Sequence, residues 1–182
     1  MARHTSADTR ADLLAAATVE FTARGLRGTS LADIAKAAGY SKATVLYQFE
    51  SKEHLVREWA KDLLDGLDVL VQRATALPTV AERSQAAMAG FIDLALRHRQ
   101  TLRLMQAEIS YILGQEAMSD VRALETQLRR LLRGSSSSAA SDAAAIFFIG
   151  GVAAVVAELT DVPEADSRRI LLDLAAPLLT VA

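Results

Sequence analysis

The sequence predicts an all-α protein of about nine helices, in which an N-terminal three-helix unit precedes a C-terminal helical bundle. Alanine and leucine, two strong helix formers, account for 35 and 26 of the 182 residues. Only nine glycines and three prolines interrupt them, and aromatic residues make up 5% of the chain. This composition excludes a disordered, collagen-like or all-β protein.

Apolar spacing and capping residues predict the first two helices. Between about 7 and 24 the apolar residues fall on one face at helical spacing, and Gly25 is expected to end the helix in a left-handed conformation. Ser30 follows as an N-cap, with an aspartate three residues later as an acidic capping box. A short second helix at 31–38 then ends at Gly39.

The remaining helices follow from the same signals. Ser41 is expected to cap a third helix at 42–49, and Ser51 a fourth from 52 to about 71 or beyond. Pro177 is expected to end or distort the last helix early. The predicted helices after the fourth lie at about 80–98, 101–113, 117–133, 141–160 and 167–179, the last opened by Ser167.

The segment 31–49 has the spacing of a helix-turn-helix. Ala35 is small enough for two helices to cross closely, Gly39 can take the positive φ of a tight turn, and Val45 can hold the second helix against the first. In such a motif the second helix enters the DNA major groove. The alternative is an ordinary helical hairpin with small residues at its turn.

The segment 29–55, TSLADIAKAAGYSKATVLYQFESKEHL, resembles the DNA-binding domain of the TetR (tetracycline-repressor-like) transcriptional regulators. The preceding segment 10–25, RADLLAAATVEFTARG, is similar to that family's first helix. The resemblance covers about 10–56, and several positions of different chemical kinds agree together. Over the rest of the chain only the number and length of the helices match.

The resemblance implies roles for individual residues. The start of the family's recognition helix, which faces base edges, corresponds to Ser41, Lys42, Ala43 and Thr44. Ser30, Tyr47 and Lys52 correspond to contacts with the DNA backbone, and their hydroxyl or ammonium groups suit phosphate oxygens. The tyrosine is displaced by one place from the family's commoner pattern, which makes Gln48 a further candidate contact. Leu46 and Phe49 are expected in the core.

Domain organisation and charge both divide the chain into an N-terminal and a C-terminal part. We expect a DNA-binding domain at 1–56, linked by the fourth helix (about 52–76) to a ligand-sensing and dimerisation domain at 57–182. Residues 1–60 carry a net charge of +1 and residues 61–182 a net charge of −3. Steering by net charge is therefore modest, so DNA binding must depend on local placement and on two copies acting together.

The C-terminal part carries two further expectations. The segment 143–157 is apolar nearly all round and contains small residues that permit close helix packing. With the last helix it is expected to form a dimer interface, or alternatively the central core of a monomer. The interface candidates are Phe148, Gly150, Gly151, Ala154, Val155, Leu171 and Leu174. An effector pocket, for which plain core is the alternative, is expected at Met88, Phe91, Met105, Tyr111, Met118 and Phe147.

Other classes of function have little support in the sequence. There is no cysteine, no apolar signal core at the N-terminus and no apolar run of the roughly 20 residues that a membrane span needs. The i, i+4, i+8 spacing of Glu50, His54 and Glu58 is a weak metal candidate, and no catalytic motif is present. We therefore expect a cytoplasmic, non-enzymatic, sequence-specific DNA-binding regulator, a repressor that a small-molecule effector releases from a palindromic operator. Its expected partners are an operator, a second copy and a small-molecule effector, with no cofactor, metal or membrane. The main alternative is a helical protein-interaction module without DNA binding, and an enzyme is the less favoured one.

Overall fold

The computed structural model describes residues 5–106 and 119–180, and within these ranges all regular secondary structure is helical. This confirms the all-α fold, with ten helices instead of about nine in the described ranges. The helices are α1 (Ser6–Gly28), α2 (Leu31–Ala38), α3 (Lys42–Phe49), α4 (Lys52–Trp59), α5 (Lys61–Thr75), α6 (Val80–Arg97), α7 (Arg99–Gln106), α8 (Ser119–Arg133), α9 (Ala139–Glu158) and α10 (Glu164–Thr180).

The described residues separate into two compact units. The N-terminal unit runs to Asp62, and the C-terminal unit comprises the described residues from Leu63 onward, so that the division falls within α5. Each unit has its own buried apolar side chains.

In the N-terminal unit, α1 packs against α2 and α4, and α3 packs against α2 and α4. Phe21 and Trp59 meet edge to face, with their ring centroids 5.3 Å apart. The Trp59 indole N–H also donates a hydrogen bond to Thr18 Oγ1 (2.9 Å). The fully buried large apolar side chains of this unit are Leu13, Phe21, Leu26, Ile34, Val45, Phe49 and Leu55.

The predicted N-caps of the short helices are confirmed. Ser30 and Asp33 form a reciprocal capping box at the start of α2, and the side chains of Ser41 and Ser51 accept backbone N–H bonds at the starts of α3 and α4. Gly39 ends α2 in the left-handed conformation (φ 76°, ψ 22°). These features are local, which is why sequence spacing is sufficient to predict them.

Gly25 differs in part from the prediction. Its φ of 73° is positive, as expected, but its ψ of 170° is extended, a combination essentially restricted to glycine. The chain therefore kinks at Gly25 and continues helically to Gly28. Thr29 fixes this exit, since its hydroxyl donates to the carbonyl oxygens of Gly25 (2.8 Å) and Glu20 (3.1 Å).

The predicted fourth helix is wrong in one respect, because it is interrupted at Ala60. There the backbone (φ −92°, ψ 5°) leaves the α conformation, and the N–H of Ala60 bonds to the carbonyls of both Val56 and Glu58. No proline or glycine marks this position. The interruption directly follows Trp59, which α1 holds by the ring contact and hydrogen bond above. Such long-range contacts leave no trace in helical periodicity.

In the C-terminal unit, α9 packs against α6, α7, α8 and α10. By length and composition, α9 is also the one helix among the described residues that could cross a membrane. It buries Phe148, whose ring lies 5.9 Å from that of Phe91 on α6. Arg99 donates hydrogen bonds to the carbonyls of Leu159 (3.0 Å) and Thr160 (3.4 Å) just beyond its C-terminus. Thus α9 is fixed both along its length and at its end.

The last helix departs from the prediction at both ends. It begins at Glu164 rather than after Ser167, which lies buried inside the first turn. It also continues through Pro177 to Thr180. Leu178 packs against the core beyond the proline, and this contact favours the final turn despite the lost backbone donor.

Candidate nucleic-acid interface

Two fully buried residues define which face of α3 points outward. Val45 and Phe49, one turn apart, both have 0% exposure. Lys42 and Ala43 are exposed and Thr44 is half-buried at the N-terminal end of the helix. The Ser41 side chain accepts the N–H of Thr44 (3.1 Å), and the two hydroxyl oxygens lie 2.9 Å apart. The four residues expected at base edges therefore form one short surface.

Leu46 and Tyr47 also belong to the outward face. Leu46 is 41% exposed and Tyr47 is 83% exposed. The expectation that Leu46 is core was wrong, because the side chains of Val45 and Phe49 already take the core-facing side and Leu46 follows about 100° further round the helix. An exposed tyrosine and leucine at the middle of a short helix leave an amphipathic surface next to Lys42.

Gln48 is held within the N-terminal unit. Its side-chain amide donates to Ser6 Oγ at the start of α1 (3.0 Å), and its backbone carbonyl accepts from Arg10 Nη1 (2.8 Å). Lys52, the first residue of α4, is half-buried beside the cap that Ser51 makes. Of the candidate backbone contacts on α3 and α4, Tyr47 is the most accessible.

Ser30 has most of its hydrogen-bonding capacity occupied. Its backbone N–H donates to Asp33 Oδ2 (2.9 Å), and its hydroxyl oxygen accepts from the N–H of Asp33 (3.2 Å) while also bonding that carboxylate. These hydrogen bonds from Ser30, with a weaker contribution from Arg24, lower the pKa of Asp33. The carboxylate therefore stays ionised at neutral pH, directly beside the hydroxyl that the sequence analysis assigned to a phosphate.

The turn before α3 is anchored on α1. Tyr40, which follows Gly39, donates its hydroxyl to Asp12 Oδ2 (2.8 Å). This hydrogen bond to a carboxylate raises the pKa of the Tyr40 phenol, which stays neutral. At the other end of α3, Glu50 adopts a positive φ of 56° with ψ −46°, and the N–H of Ser51 bonds to the carbonyl of Phe49. This is a tight three-residue turn of the strained kind.

Sequence reasoning missed Arg10, the residue that joins α1, α3 and α4. Besides its bond to the carbonyl of Gln48, its guanidinium lies 2.7 Å from Glu58 Oε2 and 4.5 Å from the centre of the Phe49 ring. The spacing of Glu58 along the chain indicates only the weak metal candidate. A basic residue at the start of α1 and an acid near the end of α4 carry no local signal of their pairing.

The weak metal candidate gains no support from its geometry. Glu58 pairs with Arg10, whose hydrogen bond is the main cause of a lowered Glu58 pKa, and His54 packs edge-on against Phe49 with centroids 6.1 Å apart. Among residues 5–106 and 119–180, no group of three or more His, Asp or Glu side chains is arranged to hold a metal ion.

The C-terminal unit presents an apolar surface groove between α9 and α10, with a volume of about 110 Å³. Phe147 and Leu174 stand out from it, 70% and 63% exposed. The groove contains five of the seven candidate interface residues, and Ala154 is half-buried and Gly150 exposed on the same helix. Its lining is Phe147, Phe148, Gly151, Val152, Val155, Leu171, Leu174, Ala175 and Leu178.

The candidate effector residues are not all together. Phe91 and Met105 are buried at 5% and 6% exposure, and Met88 packs at the edge of the core cluster that includes Phe91. Phe147 instead lines the surface groove. Tyr111 and Met118 lie outside the described residues. A separate cleft of about 310 Å³ opens between α5, α6 and α8, lined by Thr75, Val80, Arg83, Gln127, Arg130, Leu131 and Gly134.

Comparison with known proteins finds one matching family model and several similar proteins. Residues 13–59 match the family model described as bacterial regulatory proteins, tetR family. The HTH-type transcriptional repressor KstR2 of Rhodococcus jostii is 29% identical over 127 residues, which are 69% of this chain and 62% of the relative. KstR2 of Mycolicibacterium smegmatis is 35% identical over 98 residues, 53% of this chain and 48% of the relative. The matches thus span less than two thirds of these relatives.

Solved structures share the fold over nearly the whole chain. The ketosteroid transcriptional regulator KstR2 of Mycobacterium tuberculosis has a TM-score of 0.71 at 22% identity, covering 94% of this chain and 93% of that one. NalD, the secondary repressor of the MexAB-OprM multidrug efflux pump in Pseudomonas aeruginosa, has a TM-score of 0.70 at 19% identity. The match covers 95% of this chain and 97% of the NalD chain. At these identities the likeness establishes the fold.

Proposed function

We propose that this chain is a TetR-type regulator, a cytoplasmic transcriptional repressor that binds a palindromic DNA operator as a homodimer. The match of residues 13–59 to the family model and the similarity to named repressors support this proposal. A small-molecule effector releases it from the operator. The named relatives are repressors, which also favours a regulator over an enzyme. The two compact units take the two roles, with DNA binding in the N-terminal unit and sensing and dimerisation in the C-terminal unit.

One observation carries the DNA-binding proposal. The outward face at the N-terminal end of α3 is formed by Ser41, Lys42, Ala43 and Thr44, while Val45 and Phe49 fix the opposite face in the core. In a helix-turn-helix the N-terminal residues of the second helix face base edges. Lysine can donate to guanine, and the threonine hydroxyl and methyl suit several base edges.

We assign the backbone contacts mainly to Tyr47 and Lys52. The Tyr47 side chain is 83% exposed, so its hydroxyl can reach a phosphate oxygen without rearrangement. Gln48 must first release Ser6, and the hydroxyl of Ser30 sits beside the ionised Asp33, which repels a phosphate. Ser30 and Gln48 are therefore secondary candidates.

We further propose that two copies meet through the groove between α9 and α10. Exposed Phe147 and Leu174 are costly to leave in water and are continuous with the buried groove residues. We therefore assign Phe147 to the dimer interface. Met88, Phe91 and Met105 remain candidates for the effector pocket. For release, the effector must bind one arrangement of the dimer better than the other.

A DNA-binding assay on the full chain tests this function. We expect the protein to bind the DNA upstream of its own gene more tightly than a scrambled duplex of equal length in fluorescence anisotropy. Lys42→Ala with Thr44→Ala should abolish that preference. Arg73→Ala, which removes an exposed charge from α5, serves as the control and should retain it.

Equal affinity of the wild-type chain for both duplexes would refute sequence-specific binding and favour the protein-interaction alternative. An unchanged preference in the double variant would refute the assignment of α3 as the reading helix.

A further inference from the structure

Arg10 makes three different interactions at the junction of α1, α3 and α4. Its Nη1 donates to the backbone carbonyl of Gln48 (2.8 Å), its Nη2 lies 2.7 Å from Glu58 Oε2, and its guanidinium carbon lies 4.5 Å from the Phe49 ring centre. Only a planar guanidinium with several donors can satisfy all three groups at once. The side chain of Arg10 is 32% exposed and that of Glu58 is 29% exposed.

Two of these partners are the last two residues of α3. The carbonyl of Gln48 is one of the terminal helix carbonyls that have no partner within the helix, so a cationic donor there is doubly favourable. Phe49 is completely buried, and Arg10 covers its ring. Glu58 lies one residue before the end of α4. Arg10 therefore fixes the C-terminal end of α3 to both flanking helices.

The other end of α3 is held independently. The Ser41 cap and the hydrogen bond from Tyr40 to Asp12 fix the turn that leads into the helix. An eight-residue helix is about 12 Å long, so a tilt of about 10° displaces one end by about 2 Å relative to the other. Base readout depends on hydrogen bonds with tolerances well below that displacement. Both ends of α3 must be fixed for its outward side chains to reach the bases together.

We propose that Arg10 is a positioning residue for the recognition surface, which sets the angle of α3 without contacting DNA. This inference rests on the proposed DNA-binding function. The charge of Arg10 is already paired with Glu58, and its donors point at protein acceptors. Its effect on DNA affinity therefore comes through the orientation of α3. A direct bond from Arg10 to phosphate is the competing explanation.

The test compares DNA affinity, its salt dependence and thermal stability in the full chain. Arg10→Met keeps an unbranched apolar side chain but removes the guanidinium and both of its polar interactions, whereas Arg10→Lys keeps the positive charge on a single ammonium that lacks the planar fork. Trp59→Phe is the matched control, because it removes one hydrogen bond between α1 and α4 without touching α3. All variants are measured well below their melting temperatures, where the folded fraction is close to one.

We expect Arg10→Met to bind the upstream DNA at least tenfold more weakly than the wild type, with Arg10→Lys in between. The slope of log affinity against log salt should stay unchanged, since no phosphate contact is lost. Trp59→Phe should change affinity less than twofold. If Arg10→Met does not fold, Arg10→Lys measured against Trp59→Phe provides the comparison.

Two results would overturn the proposal. One is an Arg10 variant that is folded and binds DNA as well as the Trp59→Phe control. The other is a salt slope reduced by about one per subunit, the result expected for a lost phosphate contact. A wild-type chain without sequence preference would refute the proposed function itself, so the two failures are distinguishable.

Discussion

Replacing Leu174 by alanine tests the proposed dimer interface with the least disturbance of the protomer. Leu174 is 63% exposed on α10, so most of its side chain makes no contact within one chain. Alanine is at least as good a helix former as leucine, and α10 should persist. The substitution therefore removes mainly the part of the side chain that a second copy would cover.

The expected effect on dimerisation follows from this exposure. Leucine to alanine removes three carbon groups at about 0.8 kcal/mol each, or about 2.4 kcal/mol for complete burial. If the interface covers the exposed 63%, the loss is about 1.5 kcal/mol per protomer. Two-fold symmetry doubles it to about 3 kcal/mol, which corresponds to a dissociation constant higher by about two orders of magnitude. The free protomer loses only about 1 kcal/mol of stability.

Sedimentation of a labelled chain over a dilution series measures this dissociation constant. Val19→Ala is the control, because Val19 is 65% exposed on α1 and belongs to the N-terminal unit. We expect the wild-type and Val19→Ala dimers to dissociate at the same protein concentration. The Leu174→Ala dimer should dissociate at a much higher concentration. If Leu174→Ala and Val19→Ala have the same dissociation constant, the groove between α9 and α10 is not the interface.

Three further substitutions test other features. Glu58→Gln should lower the free energy of unfolding at pH 7, where Glu58 is ionised against Arg10. Because Arg10 lowers the pKa of Glu58 below its usual 4.5, this difference should persist down to about pH 4.5 and disappear as the pH falls further. A difference that grows in acid in chemical denaturation would contradict the pairing. Gly150→Ala should raise protomer stability by up to about 1 kcal/mol, since its new Cβ meets nothing within 4 Å. It should also weaken the dimer if helices approach closely there, and a tighter dimer in the same sedimentation assay would count against that role. Glu50→Gly should stabilise the protein by about 1 kcal/mol by relieving the positive φ of 56°, and a clear fall in melting temperature would show that the turn is not strained.

Local signals predicted the parts of the fold that depend on neighbouring residues. The capping box of Ser30, the left-handed Gly39 and the caps of Ser41 and Ser51 all involve residues within a few positions of each other. Each satisfies backbone groups at a helix end, so the residue type alone carries the information. The outward position of Lys42 follows from the same local geometry.

Contacts between distant residues could not be predicted in this way. Arg10 and Gln48 are 38 positions apart, and Trp59 and Thr18 are 41 apart. The first of these contacts fixes the end of α3, and the second lies at the interruption after α4. In such cases the partner is determined by how three helices pack, which periodicity along one helix does not specify.

Apolar helices present a different difficulty. In α9, Phe147 and Phe148 are adjacent and chemically identical, yet their exposures are 70% and 2%. When residues are apolar on all sides, the pattern no longer indicates which side faces the core. The sequence alone therefore groups Phe147 with the candidate effector residues, whereas in the structure it lines the surface groove with Leu174.

The structure of the full chain bound to its upstream DNA tests the central claim most directly. We predict the N-terminal end of α3 in the major groove, with the side chain of Lys42 or Thr44 within about 3.2 Å of a base-edge acceptor or donor. Two copies should be related by a two-fold axis, with half-sites separated by one or more helical turns. DNA bound against another surface, with α3 exposed to solvent, would contradict the proposed function.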